Sequence, residues 1–466
     1  MLGKSELFLF FWVWASLLEF ISSSETGIRF SRGDLLTATC LFGHFAFAIS
    51  FFLLGAKSKF SKGLLLGALC FQVASAFCIS PELPNHQILQ MAVNLILIVD
   101  LLTVKGFGVS PQFFRSAKIL TVTTYGFAVL HKLNADYLNV TTSCATLFTE
   151  DLARYFPALS FIQPLTPYAP VGSLICEGFL ALLLFLPRRF AAIGVGIGFV
   201  FHSILALHVE RHFFDFSGLM MCLLLLFLPG ERTVRAVPVW VRSIIVLGFA
   251  YSYINLLEVD HGQSFSVFLT RLRLWLVFSI AIGFYAYLLI RRLRSQPAVE
   301  RERVEVVANR TSDTLRPLSI AVITFIVLTG FGPYLGFKTR HAFDMYSNLQ
   351  VEEGQSNHLL IPASMQLGLL TDDVVEVLDF DTISGEPLKF RSDVLVKGTK
   401  IVRFQLMSLL SRNLGLKVKI LDHGIPRELE SADQVYPNSW VAPWLLRKSL
   451  AFRPISAAGR PQYCVW

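Results

Sequence analysis

The chain has 466 residues, of which 54% are hydrophobic and only 16% charged, where soluble domains carry about a quarter. Its formal net charge is +8, yet the Lys and Arg sit in short loops between apolar blocks, which reads as a topology signal and excludes nucleic acid as the partner. A mean hydropathy of +0.57 leaves too little polar surface for a wholly soluble globule. The apolar blocks are about twenty residues long, the length that crosses the hydrocarbon core as a helix.

Residues 5–22 form the first apolar stretch, behind Lys4. It is open between a further span, an interfacial helix and a signal-like segment. The lack of a small-residue cleavage site favours a retained helix. Spans are then predicted at 35–55, 63–80, 87–104, 113–132, 171–187, 190–208, 213–229, 239–257, 273–290 and 317–336. Lys57, Lys59 and Lys62, then Lys105, Arg115 and Lys118, then Arg188 and Arg189, then Arg232, Arg235 and Arg242, then Arg291 to Arg316 fall in every second loop. The positive-inside rule places them all on the cytoplasmic face. The lipid bilayer is thus the first partner.

The outer loop at 133–170 is too long for a tight connection and is expected to hold a short surface helix. Asn139-Val140-Thr141 in it is a glycosylation sequon. Residues 291–316 read as a basic cytoplasmic linker. After the span that ends near 337 the composition changes. VVEVLDF (374–380) and LKVKIL (416–421) look like strands, and GTKIVRFQLMSLLSRN (398–413) like an amphipathic helix. The expected fold is an all-α polytopic membrane bundle of about nine to eleven spans with a small α+β soluble domain at 338–466, outside the cytoplasm. The implied division is 1–34 (hydrophobic helix and outer loop), 35–290 (membrane domain), 291–316, 317–337 and 338–466.

The seven cysteines show no CxxC spacing, which argues against zinc or haem attachment. Cys144 and Cys464 fall outside, with Cys78 near the same face. An oxidising compartment can join two of these, and spacing does not choose the pair.

An ionisable side chain in a span costs about 2.5–3.5 kcal/mol on insertion scales and needs a reason. The candidates are His44, Asp100, Lys132, Glu177, His202 and Asp215. Asp100, near a cytoplasmic helix end, reads as a snorkelling or capping carboxylate. His44 is explained equally by a hydrogen bond to a neighbouring helix and by function. The other four share one layer near the outer face. Lys132 ends its span, Glu177 and His202 each lie about 9 Å down theirs at ~1.5 Å per residue, and Asp215 opens the next. Such a layer is either a buried ion-pair network that orients the bundle or a site. Lys132 is the base candidate, because desolvation disfavours its ammonium, while Glu177 opposes this by favouring the charged form. His208, Glu210 and His212 read as solvated groups at headgroup level; no metal site is expected.

The segment TYGFAVLHKLNADYL (124–138) resembles a signature of the vitamin K-dependent γ-carboxylase family and of the HTTM (horizontally transferred transmembrane) proteins that share its membrane domain. GFVFHSILALHVERHFFDFSGLMM (198–221), FGPYLGFKTRHAFDMYSNL (331–349) and SNHLLIP (356–362) extend the resemblance over residues 35–362. It implies that Lys132 is the base acting on a reduced, vitamin K-like quinone, that O₂ then generates a stronger base, and that CO₂ traps a carbanion at the γ-carbon of peptidyl Glu in an exported protein. The shared layer and the resemblance together make Lys132, Glu177 and His202 the catalytic candidates, with a substrate or cofactor pocket at His131, Asn134, Asp136, Tyr137 and Asp215. A Glu γ-hydrogen is too weakly acidic for any side chain, so a cofactor must carry that chemistry. The chain departs from the family's pattern at His131, where the carboxylase has the first lysine of a pair, and at Tyr137, where it has Trp. It is also shorter beyond the membrane domain. Two readings follow: a carboxylase-like lyase, or a non-catalytic membrane protein whose outer domain recruits an exported partner. A transporter is disfavoured, because no paired discontinuous helices are seen.

Overall fold

The computed structural model describes residues 3–22, 35–81, 83–209, 213–228, 237–258, 265–295, 315–382, 395–413, 415–436, 444–456, 461–462 and 464. Twelve longer helices come first: α1 (Lys4–Ser22), α2 (Leu35–Leu54), α3 (Ser61–Ile79), α4 (Asn85–Thr103), α5 (Pro111–Lys132), α6 (Cys144–Tyr155), α7 (Ala169–Phe185), α8 (Arg188–Leu205), α9 (Phe214–Leu225), α10 (Val239–Glu258), α11 (Phe265–Ser295) and α12 (Pro317–Leu335). A one-turn helix, Ala135–Leu138, follows α5, and a 3₁₀ helix, Pro157–Tyr168, joins α6 to α7. Among the described residues seven helical segments are long and apolar enough to cross a membrane: Leu35–Leu54, Ser61–Ile79, Asn85–Thr103, Pro157–Phe185, Arg188–Leu205, Phe268–Arg291 and Pro317–Leu335. The chain is therefore mostly helical with the character of a multi-pass membrane protein.

Three predicted spans are helices outside that set. The helix predicted at 113–132 is α5, which carries Arg115, Lys118 and Lys132 and four Ser and Thr residues. The span predicted at 213–229 forms only a 12-residue helix, α9. The one at 239–257 is apolar over Val239–Tyr251. Residues 5–22 are neither peripheral nor signal-like in their packing. Leu9, Leu17 and Leu18 are fully buried, and Trp12 Nε1 donates to Asn94 Oδ1 at 2.7 Å. Lys4 Nζ donates to the Leu228 carbonyl at 2.5 Å. α1 is a core helix, and removing it would open the bundle.

Local chemistry sets the helix ends. Ser110 caps α5, its Oγ accepting from Phe113 N (3.3 Å), and Pro111 supplies the first-turn φ. The Asp100 carboxylate accepts from Ser110 N (2.7 Å) and Ser110 Oγ (2.5 Å) and meets Arg316 Nη1 at 3.0 Å. It is a cap and an ion-pair partner that ties α4 to the start of α12. His44 Nδ1 bonds the Ala68 carbonyl on α3 at 2.9 Å. α12 stops at Gly336, φ 75°, where a Cβ would meet Leu369 N at 2.4 Å.

Residues 337–362 run as an irregular segment of bends and turns back across the end of α5. The rest forms a four-stranded antiparallel sheet, order β2-β1-β3-β4, from β1 (Val374–Thr382), β2 (Lys400–Val402), β3 (Leu416–Asp422) and β4 (Ile425–Leu429). Registers are Val375↔Ile401, Val377↔Ile420 and Val418↔Leu429, with an irregularity between Val377 and Asp379. α13 (Arg403–Arg412) covers the sheet, and α14 (Trp444–Ser449) follows. The amphipathic helix predicted at 398–413 is thus strand for its first residues, and Arg403–Leu410 is buried all round. Arg403 makes this tolerable. Its guanidinium meets Asp422 through Nη2 (2.7 Å) and Nη1 (3.0 Å) and Asp373 through Nε (2.8 Å). These hydrogen bonds hold the Asp422 carboxyl down at about 2.

Candidate functional site

The site begins at the C-terminal end of α5. Lys132 Nζ lies 2.5 Å from both Oε1 and Oε2 of Glu177 on α7. Both side chains are under one-tenth exposed. A lysine cannot stay buried without such compensation. Asn134 caps the one-turn helix, its Oδ1 accepting from Tyr137 N at 2.8 Å. That turn sets the Tyr137 ring 5.8 Å from Lys132 Nζ, a cation–π distance. The Tyr137 hydroxyl bonds Ser173 Oγ, one helical turn before Glu177 on α7.

These groups form the polar wall of a cavity of about 190 Å³, whose other walls are chiefly apolar: Leu89, Ala128, Phe148, Phe201 and Met220. Phe343, Met345 and Tyr346, from the segment after α12, also line it. His341, Phe343, Tyr346 and Asn348 all have φ between 53° and 62°. Non-glycine residues adopt this region rarely and at a cost, and such strain concentrates at functional sites.

The structure divides the predicted site residues. Lys132, Glu177 and Tyr137 meet at the cavity. His202 lies behind it: its Nε2 bonds the Tyr125 hydroxyl at 2.6 Å, and Tyr125 is the group that lines the wall. Asp215 also acts through another residue, its Oδ2 lying 2.9 Å from His86 Nε2; His86 lines the cavity. His131, Asn134 and Asp136 do not line it. His131 Nε2 bonds the Gly330 carbonyl on α12 (3.0 Å), with its ring stacked on Phe127. Asn134 Nδ2 donates to the carbonyls of His131 (2.7 Å) and Ser347 (2.5 Å). Asp136 Oδ2 accepts from Asn357 Nδ2 (2.8 Å) and Gln462 N (3.0 Å). Asn134 and Asp136 fasten the segment after α12 to the bundle, and His131 ties α5 to α12.

Tyr125, His86 and Ser173 were not singled out from the sequence. Two of them had a signal: Tyr125 stands two turns before Lys132, and Ser173 one turn before Glu177, each on its partner's helix face. His86 had none, because its partner is 129 residues away. His208 departs from expectation. It is buried, not solvated, with its ring 5.3 Å from those of Phe148 and Phe213. Glu210 and His212 lie outside the described residues. Among the described residues no cluster of three or more His, Cys, Asp or Glu is placed to hold a metal ion.

The fastening is extensive. Ala135 N donates to Asn357 O (2.9 Å) and Leu359 N to Leu133 O (2.9 Å). His358 Nε2 bonds the Leu130 carbonyl (2.9 Å), while its Nδ1 accepts from Leu360 N and Ile361 N, both at 3.0 Å. That pattern requires the neutral ring protonated at Nε2, and burial pushes the His358 pKa down in the same sense. Cys144, on the cavity wall, is disulfide-bonded to Cys464, while Cys78 is free.

Chemically, the site is one amine and one carboxylate sharing protons in a largely apolar, aromatic-walled space. The pair is neutral overall whether it stands as ammonium and carboxylate or as amine and carboxylic acid. In the second state the amine can take a proton from a guest. Comparison with family models, with curated proteins and with solved structures yields no match.

Proposed function

We propose that the chain is a carboxylase-like integral membrane enzyme of the HTTM and vitamin K-dependent γ-carboxylase type, with Lys132 as general base on a reduced quinone. One observation carries this reading: a buried Lys–Glu pair stands in the wall of a largely apolar cavity. An engineered cavity of about 150 Å³ holds benzene, so the space suits a quinone head of one or two rings. Tyr125, Tyr137 and His86 stand ready to bond its oxygens. When bound, such a cofactor supplies the strong base that no side chain offers. Lys132 Nζ takes the hydroxyl proton of the guest, Glu177 holds the proton that the amine must first release, and His202 orients Tyr125. The apolar walls exclude water from the reacting atoms.

The finer topology belongs to the same proposal. Nine to eleven spans, by the hydropathy argument, leave residues 338–466 outside the cytoplasm with the cavity near the outer face. The Cys144–Cys464 bond fits an oxidising compartment. Leu360, Met365, Leu367 and Leu369 are exposed, and Leu367 N donates to the Tyr334 carbonyl at the end of α12 (3.0 Å). This apolar edge continues the lipid-facing surface of α12, as a domain seated on the membrane requires.

A second reading has its own observation. Glu177 engages Lys132 through both oxygens, and the adjoining motif residues are used as fasteners. A non-catalytic protein whose outer domain recruits an exported partner would use the pair for orientation alone. The test is binding and turnover by the full chain in nanodiscs. Vitamin K hydroquinone should raise the unfolding temperature, and labelled bicarbonate should enter Glu-containing exported peptides. Lys132→Met combined with Glu177→Leu should fold and lose incorporation. Neither binding nor incorporation by the parent protein would leave the second reading standing.

A further inference from the structure

A second cavity, of about 280 Å³, lies between α1, the end of α2, the start of α10 and α11. Three of its lining side chains carry buried donors with no protein hydrogen-bond partner: Trp14 Nε1, Tyr285 Oη and Arg242 Nε. Each residue is at least nine-tenths buried. A buried polar group is nearly always paired, and each unpaired one costs about 1–3 kcal/mol. Three that converge on one space point to acceptors supplied from outside the chain.

The charge on the wall says what kind. Arg242 Nη1 donates to the Phe52 carbonyl at 2.7 Å. The guanidinium comes this close because residue 55 is glycine; a Cβ there would stand 2.5 Å from Nη1. Lys57 also lines the cavity and is exposed. Among the described residues no Asp or Glu lines it, so the guanidinium and the ammonium meet no described carboxylate there. Phe10, Phe11 and Leu288 supply apolar walls, and the lining residues Leu54 and Phe284 are exposed. The cavity therefore borders the apolar outer surface of the bundle at the end that carries Lys57, Lys59 and Lys62.

We infer that this cavity binds the phosphate head of an anionic phospholipid. Arg242 and Lys57 hold the phosphate oxygens, Tyr285 and Trp14 donate to the remaining phosphate or ester oxygens, and an acyl chain lies along Phe284 and Leu288. Basic pockets between membrane helices on the cytoplasmic side bind lipids of this class. The inference is independent of any chemistry at Lys132.

The full chain in neutral detergent tests it, with dioleoyl phosphatidylglycerol, dioleoyl phosphatidylcholine and inorganic phosphate as probes. Phosphatidylglycerol should raise the unfolding temperature and be retained one-to-one in native mass spectra. Phosphatidylcholine should do neither. Tyr285→Phe removes an unpaired donor at nearly constant volume, so without lipid it should be as stable as the parent or more so, whereas Trp14→Phe also removes ring volume packed against Phe52 and Phe278 and is read by its lipid binding alone. Each should weaken phosphatidylglycerol binding by about tenfold, the loss expected for one hydrogen bond to a charged group. Lys57→Gln should weaken it as well, and Arg242→Gln should abolish it. If Arg242→Gln does not fold, the two aromatic variants decide. Equal gains from both lipids, or undiminished binding by Tyr285→Phe and Trp14→Phe, overturn the proposal. A gain from inorganic phosphate without one from phosphatidylglycerol overturns the lipid as occupant in favour of a free anion.

Discussion

The Lys132–Glu177 pair makes the sharpest prediction. Both side chains are under one-tenth exposed and in contact at 2.5 Å. Replacing Glu177 by Leu leaves an ammonium in an apolar wall, and replacing Lys132 by Met leaves a carboxylate there. Removing one partner of a buried pair costs about 3–5 kcal/mol, whereas replacing both by apolar residues of similar volume is often neutral or stabilising. Each single variant should therefore lose about 3–5 kcal/mol, and the double variant should fall within about 1 kcal/mol of the parent. The cycle then closes with a coupling of at least about 5 kcal/mol, beyond the range usual for residues in contact. The assay is reversible unfolding in mixed micelles titrated with dodecyl sulfate, followed by circular dichroism. Hydroquinone binding is measured on the same samples. The double variant should fold and fail to bind, which separates the role of the pair in stability from its role in the cavity. Single variants that cost under about 1 kcal/mol and add without coupling would show that the pair is not desolvated. That would remove the physical basis of the site.

Three further outcomes follow from the residues beyond α12. Asp422 is held at about 2, below its usual 3.8. Its stabilisation is complete above about pH 4 and is lost as pH falls through 2; the shift is worth about 2 kcal/mol. Asp422→Asn should flatten the stability profile between pH 4 and 2, and an unchanged slope would refute the Arg403–Asp422 account. Lys338 is pushed from 10.5 to about 8 by burial, a penalty that is present below pH 8 and relieved between 8 and 10.5. Lys338→Met should therefore stabilise the protein at pH 7 by up to about 3 kcal/mol and abolish the rise in stability above pH 8. Cys464→Ser should abolish the mobility difference between reduced and oxidised protein on a denaturing gel, and proteolysis should then trim the C-terminal segment sooner.

Much of the bundle was legible because lipid demands long apolar runs, and such runs survive in sequence as unbroken blocks. The misreadings share a cause. The helix predicted at 273–290 begins at Phe265, because Arg271, itself 3% exposed, interrupts the hydropathy while the backbone continues. α5 forms over the predicted residues, and its charged and hydroxyl side chains, Arg115 exposed and Lys132 buried against Glu177, are what lower its hydropathy. α13 was read as amphipathic because Arg403 and Gln405 look exposed in sequence. Both are buried, one on two carboxylates and the other accepting from Phe452 N at 3.0 Å. A buried polar residue is identified by its partner, and a partner far along the chain leaves no periodic trace.

The same limit explains the division within the motif around Lys132. Successive residues of a helix end point about 100° apart, so His131 and Lys132 cannot serve one cavity. The first meets α12 and the second meets α7. Past the helix the chain turns. Asn134 and Asp136 take the segment that carries Phe343 and Tyr346 over the cavity, while Tyr137 returns to it. Residues that hold the lid and residues that face the guest therefore alternate within seven positions. A change at Asn134 would reach the cavity through the placement of Tyr137 and Ser347, with no contact to a ligand of its own. The arrangement couples the seating of residues 341–362 to the geometry of the amine.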